Sequence, residues 1–219
     1  MIYNDTSVLE QHHCYEAFRI LKRQDCNILA TLSPEQSKLA RKYIISCILA
    51  TDLAEHNKWL ELFKAKREKL NWDEFEDKKL IMCILVKCAD ISNEIRPSHI
   101  GKQWAECVMT EFFIQVGSFS FSLFSKTHSP TKITKKWAIE KEKGLPSAPT
   151  MDPDKTNLAN GQIGFISFLC LPLFTEVAKL FPLMEVCTKQ MNENKAAWQV
   201  IEAQFKTAAQ QGTTNSTNK

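Results

Sequence analysis

Asp90 closes an otherwise apolar run, Leu80-Ile-Met-Cys-Ile-Leu-Val-Lys-Cys-Ala-Asp90, and an acidic residue in that position has few ways to be tolerated. Ile81, Ile84, Leu85 and Cys88 recur at i, i+3, i+4 and i+7, while Leu80, Met82 and Val86 cover much of the other side. This pattern predicts a helix buried on most faces. A carboxylate leaving such a helix must be paired, hydrogen-bonded or bound to a metal to offset its desolvation. Two readings follow from the residues alone. Asp90 or Asn93 can form a local turn ahead of Pro97, or Asp90 can project into a pocket as a metal ligand.

Other residues could also do chemistry. His12 and His13 are adjacent, and on a helix they point about 100° apart, so they cannot both face one metal. On their own they read as one core and one surface residue. Gln162 and Phe165 are three apart and share a helix face, where ordinary packing is the plain reading. The Gln162 amide offers both a donor and an acceptor. Cys47, Cys83, Cys88, Cys107 and Cys170 all sit in apolar helical patterns, and no Cys-x-x-Cys occurs. These read as reduced core thiols rather than a disulfide framework.

The elements that must place these residues read almost entirely as helix, giving an all-α fold. Leu9 to about Gln24 is the first helix, with Ala17, Phe18 and Leu21 on one face. Ser33-Pro34 supplies an N-cap and first-turn pair for a helical region running to about Leu70. Asn71 to Asp73 are expected to cap the Asp90 helix. Pro97 interrupts, and a new helix from about Ser98 to Gln115 carries Trp104, Val108, Phe112 and Phe113. An apolar helix from about Asn160 to Phe181 contains Pro172, which should kink it. The last helix spans Leu183 to about Ala209, and the polar residues 210–219 read as a disordered tail.

The 219 residues suffice for one sizeable domain, and a net charge of +3 with no basic patch argues against a nucleic-acid partner. The opening has no apolar signal region, and unbroken apolar runs such as Tyr43 to Ala50 fall short of the roughly 20 residues that span a bilayer. A cytosolic protein without a membrane partner is expected.

The segment Lys87-Cys-Ala-Asp-Ile-Ser-Asn-Glu-Ile-Arg-Pro97, followed by Gln103-Trp-Ala-Glu-Cys-Val-Met-Thr-Glu-Phe-Phe113, resembles the catalytic domain of the class I 3′,5′-cyclic-nucleotide phosphodiesterases. The wording Asp-Ile-Ser-Asn-Glu is most similar to the high-affinity cGMP-specific branch, family nine. Tyr3-Asn-Asp-Thr-Ser-Val-Leu-Glu-Gln-His-His13 upstream and Gly161-Gln-Ile-Gly-Phe-Ile-Ser-Phe168 downstream match in the same order. The resemblance implies a multi-helix fold that hydrolyses cGMP, or cAMP, to a 5′-nucleotide by attack of a hydroxide held between two metals. These would be zinc and magnesium, or manganese in place of magnesium. It makes Asp90 the ligand shared by both ions and Thr51 a contact to metal-bound water. Glu10 would accept hydrogen bonds from water on the second metal, and His13 would lie near the phosphate. Phe165 would stack on the purine while Gln162 bonds its edge, with Val108 as the opposite wall. Leu53, Asn93, Glu94 and Phe112 match further pocket positions. A homodimer stays open.

The sequence departs from the family in two places. Roughly Val116 to Ile139 is an extra segment between the Glu-Phe-Phe and Glu140-Lys-Glu-Lys-Gly-Leu-Pro146 motifs. A retained intron or gene-model error and a lineage-specific insertion both account for it. The family's two upstream histidine motifs, which supply the other metal ligands and the general acid, do not occur here. His56-Asn57 stands in the wrong part of the order and reads as coincidence. Residues 1–209 therefore read as an N-terminally truncated catalytic domain, inactive alone, unable to retain its metals, and with apolar surface exposed where helices are missing. The alternative is a non-catalytic helical pseudoenzyme or interaction fragment.

Overall fold

The computed structural model describes residues 3–116 and 157–214, and side chains as far as 111 and 207 in the helices that end there. Eight α-helices are described: α1 (Val8–Leu21), α2 (Pro34–Ala50), α3 (His56–Lys66), α4 (Phe75–Asp90), α5 (Ser98–Val116), α6 (Leu158–Phe165), α7 (Leu171–Leu180) and α8 (Glu185–Thr214). The all-α expectation holds among the described residues. The extra segment beyond Val116 and the loop expected at Gly144 to Pro149 lie outside them.

Most helix boundaries follow from local chemistry. Ser33 caps α2 with a full capping box: its hydroxyl accepts from the Gln36 amide, and the Gln36 side chain accepts from the Ser33 amide, with Pro34 in the first turn. The single helical region expected as far as Leu70 is broken. Asp52 Oδ1 accepts from the Ala54 amide at 2.8 Å and turns the chain through a short 3₁₀ segment, Leu53–Glu55, before α3. The cap expected at Asn71–Asp73 is also corrected. Glu74 occupies the cap position of α4 without a side-chain bond, and Asp77 reaches back from the first turn to accept from the Asn71 amide at 3.0 Å.

Pro172 is accommodated by a π turn at Ile166–Cys170 that joins α6 to α7. Proline removes a backbone donor and crowds the carbonyl of residue i−4, and the wider turn relieves both. The joined helix from Leu158 to Leu180 is long and apolar enough to cross a membrane by length and composition, a property that unbroken apolar runs in the sequence do not show. Ile166, Cys170, Leu173, Phe174 and Val177 on it are nonetheless buried within the protein. Helix α8 continues to Thr214, so residues 210–214, read as tail, are helical.

The chain divides into two compact units. The first comprises Met1–Ser92 and Pro172–Glu185 and holds α1 to α4 with most of α7. Helix α2 packs on α1 and α4, and α3 packs on α4. Cys47, Ala50 and Cys83 are buried together against Trp59, and an ion pair between Arg67 and Glu176, 3.3 Å apart and largely shielded, joins α7 to this unit. The second unit comprises Asn93–Leu171 and Val186–Lys219, with α5 packed on α6. Ala105, Ala159, Met191 and Trp198 are among its buried side chains, and Lys102 Nζ stands 5.9 Å from the Trp198 ring.

All eight cysteines are free. Five are buried, but Cys107, expected in the core, is exposed on α5, because Ala105 rather than Cys107 turns inward.

Candidate functional site

In the first unit, two long-range ties bring the sequence-predicted residues to one end of the helices. Ser7, which precedes α1 in the left-handed region, donates its hydroxyl to Asp52 Oδ2 at 2.7 Å. That fixes the start of α1, with Glu10 half-buried and His13 exposed, beside the turn that follows α2. From α4, the buried Lys87 donates its ammonium to the Ala50 carbonyl at 2.7 Å and the Asp52 carbonyl at 3.4 Å. Lys87 thus supplies a cation at the negative end of α2. Burial pulls its pKa below the usual lysine range, and the nearby Asp90 and Asp52 charges oppose that shift. Asp90 lies one turn beyond Lys87. Thr51, the C-cap residue that follows α2, donates its hydroxyl to the Ile48 carbonyl at 2.8 Å and keeps its lone pairs for another donor. Leu53 is exposed on the following turn.

Asp90 itself departs from expectation. It is exposed, as are Met82, Leu85 and Val86 at 39, 40 and 38 %. Only one side of α4 is covered, by Leu80, Ile81, Cys83, Ile84, Lys87 and Cys88, so the carboxylate escapes desolvation by standing at the edge of an uncovered face. Helical periodicity identifies which residues are apolar, not whether anything packs on them. An acidic side chain in the last turn of a helix sits at the negative end of the dipole, an arrangement that favours a cation nearby.

The histidines resolve as follows. His12 shares a hydrogen bond with the Tyr3 hydroxyl at 3.1 Å and stacks on Tyr15, while His13 points elsewhere. His56 is buried at the start of α3, His99 is exposed, and His128 is outside the described residues. Among the described residues no group of three or more His, Cys, Asp or Glu side chains could hold a metal ion. The residues present therefore do not by themselves fit a zinc or a two-metal centre, which needs three or four protein ligands.

In the second unit, Val108 on α5 and Gln162 and Phe165 on α6 are half-buried and stand on packed helices. Gln162 Oε1 is buried with no hydrogen-bond partner among the described residues. An orphaned acceptor of that kind is costly. Gly161 and Gly164 leave open space where a side chain would begin, so the helix surface flanking Phe165 is not filled. The Phe112 side chain lies outside the described set.

The segment after Asp90 was only partly legible. Glu94 is buried, its carboxylate accepts from Asn93 Nδ2 at 2.6 Å, and burial pushes its pKa up to about 7 against the pull of that bond. Its backbone is held from α8, 100 residues away in sequence. Buried Asn194 donates both amide hydrogens, to the Glu94 and Arg96 carbonyls at 2.8 Å each, and its oxygen accepts from Gln190. Sequence reasoning missed Asn194 and Lys87. A polar residue in an otherwise apolar helical stripe was the available signal in both cases.

Comparison with known proteins adds a family. The model of the 3′5′-cyclic nucleotide phosphodiesterase family matches residues 1–123 and 124–191. The chain is 42 % identical over 183 residues to the mouse high affinity cGMP-specific 3′,5′-cyclic phosphodiesterase 9A, covering 84 % of this chain and 30 % of that protein. Its fold is similar to LmjPDEB1 solved with IBMX, at a TM-score of 0.75 and 33 % identity over 90 % of this chain and 53 % of that one. It is also similar to the phosphodiesterase domain of the Salpingoeca rosetta rhodopsin phosphodiesterase, at 0.78 and 28 % over 96 % and 59 %. The chain thus spans less than a third of the mouse relative and a little over half of the solved domains.

Proposed function

Because this chain belongs to the 3′,5′-cyclic nucleotide phosphodiesterase family, we propose that it forms part of a catalytic domain that hydrolyses cyclic nucleotides, cGMP in preference to cAMP, to 5′-monophosphates. The observation that carries this reading is the convergence of α1, the Thr51–Leu53 turn and the Asp90 end of α4, held by Ser7, Asp52 and Lys87. Asp90 would be this chain's ligand to zinc and magnesium, Thr51 and Glu10 would hold metal-bound water, and His13 would stand near the phosphate. The unpartnered Gln162 oxygen supports an amide poised for the purine edge, with Phe165 stacking on the ring and Val108 opposite. Asn93, Glu94, Leu53 and Phe112 would shape the pocket.

Metals supply the hydroxide and charge neutralisation for such a reaction when bound, and this chain brings one ligand to them. The 219-residue polypeptide alone is therefore taken to lack activity and to lose its metals. The same shortage favours a second reading, a non-catalytic helical protein. A cytosolic location without nucleic-acid or membrane partners accords with eight free thiols and the small net charge.

The test joins this chain to a segment carrying the family's two upstream histidine motifs and assays cGMP and cAMP. Hydrolysis of cGMP at lower KM than cAMP, abolished by Asp90→Ala and with KM raised by Gln162→Ala, is expected. Undiminished turnover in the Asp90→Ala variant would reject the assignment.

A further inference from the structure

Two cysteines meet where α2 packs on α4. Cys47 and Cys83 are buried together with Ala50, at 7 % and 0 % exposure, and Trp59 packs against the cluster. The Cys83 thiol donates a hydrogen bond to the Cys47 sulfur, so the two sulfur atoms are already in contact across the helix pair. Ala50 lies one turn beyond Cys47 on the same face of α2, and its single methyl group lets α4 come close. Facing positions on helices whose axes run about 8–10 Å apart bring their Cα atoms within the about 4.4–6.8 Å that a disulfide spans. Cys88, the other buried cysteine of α4, is about 140° round the helix from Cys83 and faces elsewhere. The bond from Cys83 also holds the pKa of Cys47 below the usual thiol value, against the effect of burial, while Cys83 keeps its own proton more tightly.

We propose that Cys47 and Cys83 are a reversible oxidation site, which hydrogen peroxide converts to a disulfide that staples α2 to α4. In the first step Cys47, as thiolate, attacks one peroxide oxygen. The S–O bond forms, the O–O bond breaks, and the departing hydroxide takes up the Cys47 proton to leave as water. In the second step the Cys83 sulfur attacks the sulfur of the Cys47 sulfenic acid. The S–S bond forms, the S–O bond breaks, and the departing hydroxide takes the Cys83 proton. Two thiols and one peroxide become one disulfide and two waters, the sulfurs losing the two electrons that the peroxide gains. The roles follow from the surroundings: Cys47 retains some exposure and the lower pKa, whereas Cys83 is fully enclosed beside it and serves to resolve. The bond joins the helices that lead into the Thr51–Leu53 turn and Asp90. It does not rest on the function proposed above.

The test treats the purified full chain with hydrogen peroxide, in a Cys107→Ser background that removes the exposed thiol, and maps linkages by mass spectrometry of non-reduced peptides. Loss of two hydrogen atoms per chain and a Cys47–Cys83 linkage are expected, both reversed by dithiothreitol. The linkage should form roughly tenfold or more faster in the folded chain than in urea, because the fold holds the sulfurs together. Cys83→Ser should leave Cys47 as a sulfenic acid that dimedone traps, and Cys47→Ser should leave Cys83 unmodified. Circular dichroism checks that both variants fold, and the linkage map of the unsubstituted pair stands without them. Amide hydrogen exchange in α2 and α4 should slow in the oxidised chain. Persistence of both thiols while peroxide is consumed elsewhere, linkage of either cysteine to a different one or to a second chain, or equal rates with and without urea would each overturn the site. Unchanged exchange in the linked chain would overturn the staple. No readout involves cyclic nucleotide, so failure here leaves the proposed function standing.

Discussion

Replacing Glu94 with glutamine should remove most of the pH dependence of stability between pH 4.5 and 7. Glu94 is buried, its carboxylate accepts a hydrogen bond from the Asn93 amide, and burial lifts its pKa from 4.5 to about 7. In that interval the folded chain holds a proton that the unfolded chain has released. Stability therefore falls as pH rises from 4.5 to about 7 and is level above it. A lift of that size corresponds to roughly 3 kcal/mol. Glutamine keeps the volume and the oxygen that accepts from Asn93, and it has no charge to desolvate. Urea unfolding followed by circular dichroism at pH 5 and pH 8 provides the comparison. The native chain should lose up to about 3 kcal/mol between the two, and the Glu94→Gln chain should lose much less and be the more stable at pH 8. Parallel behaviour of the two proteins would show that Glu94 ionises in the fold at no cost, and the buried, unpaired carboxyl would be refuted.

Other perturbations test the ties that position the site. Asn194→Ala deprives the Glu94 and Arg96 carbonyls of their donors and should cost about 2–3 kcal/mol in urea unfolding; Asn194→Asp, which keeps the shape but not the donors, should not restore it. Lys87→Met leaves the Ala50 and Asp52 carbonyls without the ammonium and should cost about 1–3 kcal/mol, with faster hydrogen exchange at Thr51 to Ala54 as the local sign. Ser33→Ala breaks the capping box of α2 and should cost about 1 kcal/mol, read from the same unfolding curves.

Local signals were the legible ones. Ser33-Pro34 announced the start of α2, Pro97 the break before α5, and the apolar period the burial of Ile81, Ile84 and Cys88 on α4. What needed the fold was long-range. Nothing in the Lys87 neighbourhood says that its ammonium reaches α2, 37 residues earlier. Nor does the α8 sequence say that Asn194 clamps the segment after Asp90. The burial expected around Asp90 failed for a related reason: Met82, Leu85 and Val86 are apolar enough for a core, but a period cannot show what lies opposite. Asp77 took the capping work expected of Asn71–Asp73 because a first-turn carboxylate can fold back onto a preceding amide. The roles given to Asp90, Gln162 and Phe165 came from family resemblance, and the structure adds the ties around the first and the unpartnered oxygen of the second.

The most direct measurement is turnover of 3′,5′-cGMP by the purified 219-residue chain in added zinc and magnesium. With Asp90 as its one implied metal ligand, the chain should show no hydrolysis above the metal-only background. Turnover that disappears in the Asp90→Ala variant would contradict the conclusion that this polypeptide needs the rest of the fold to act.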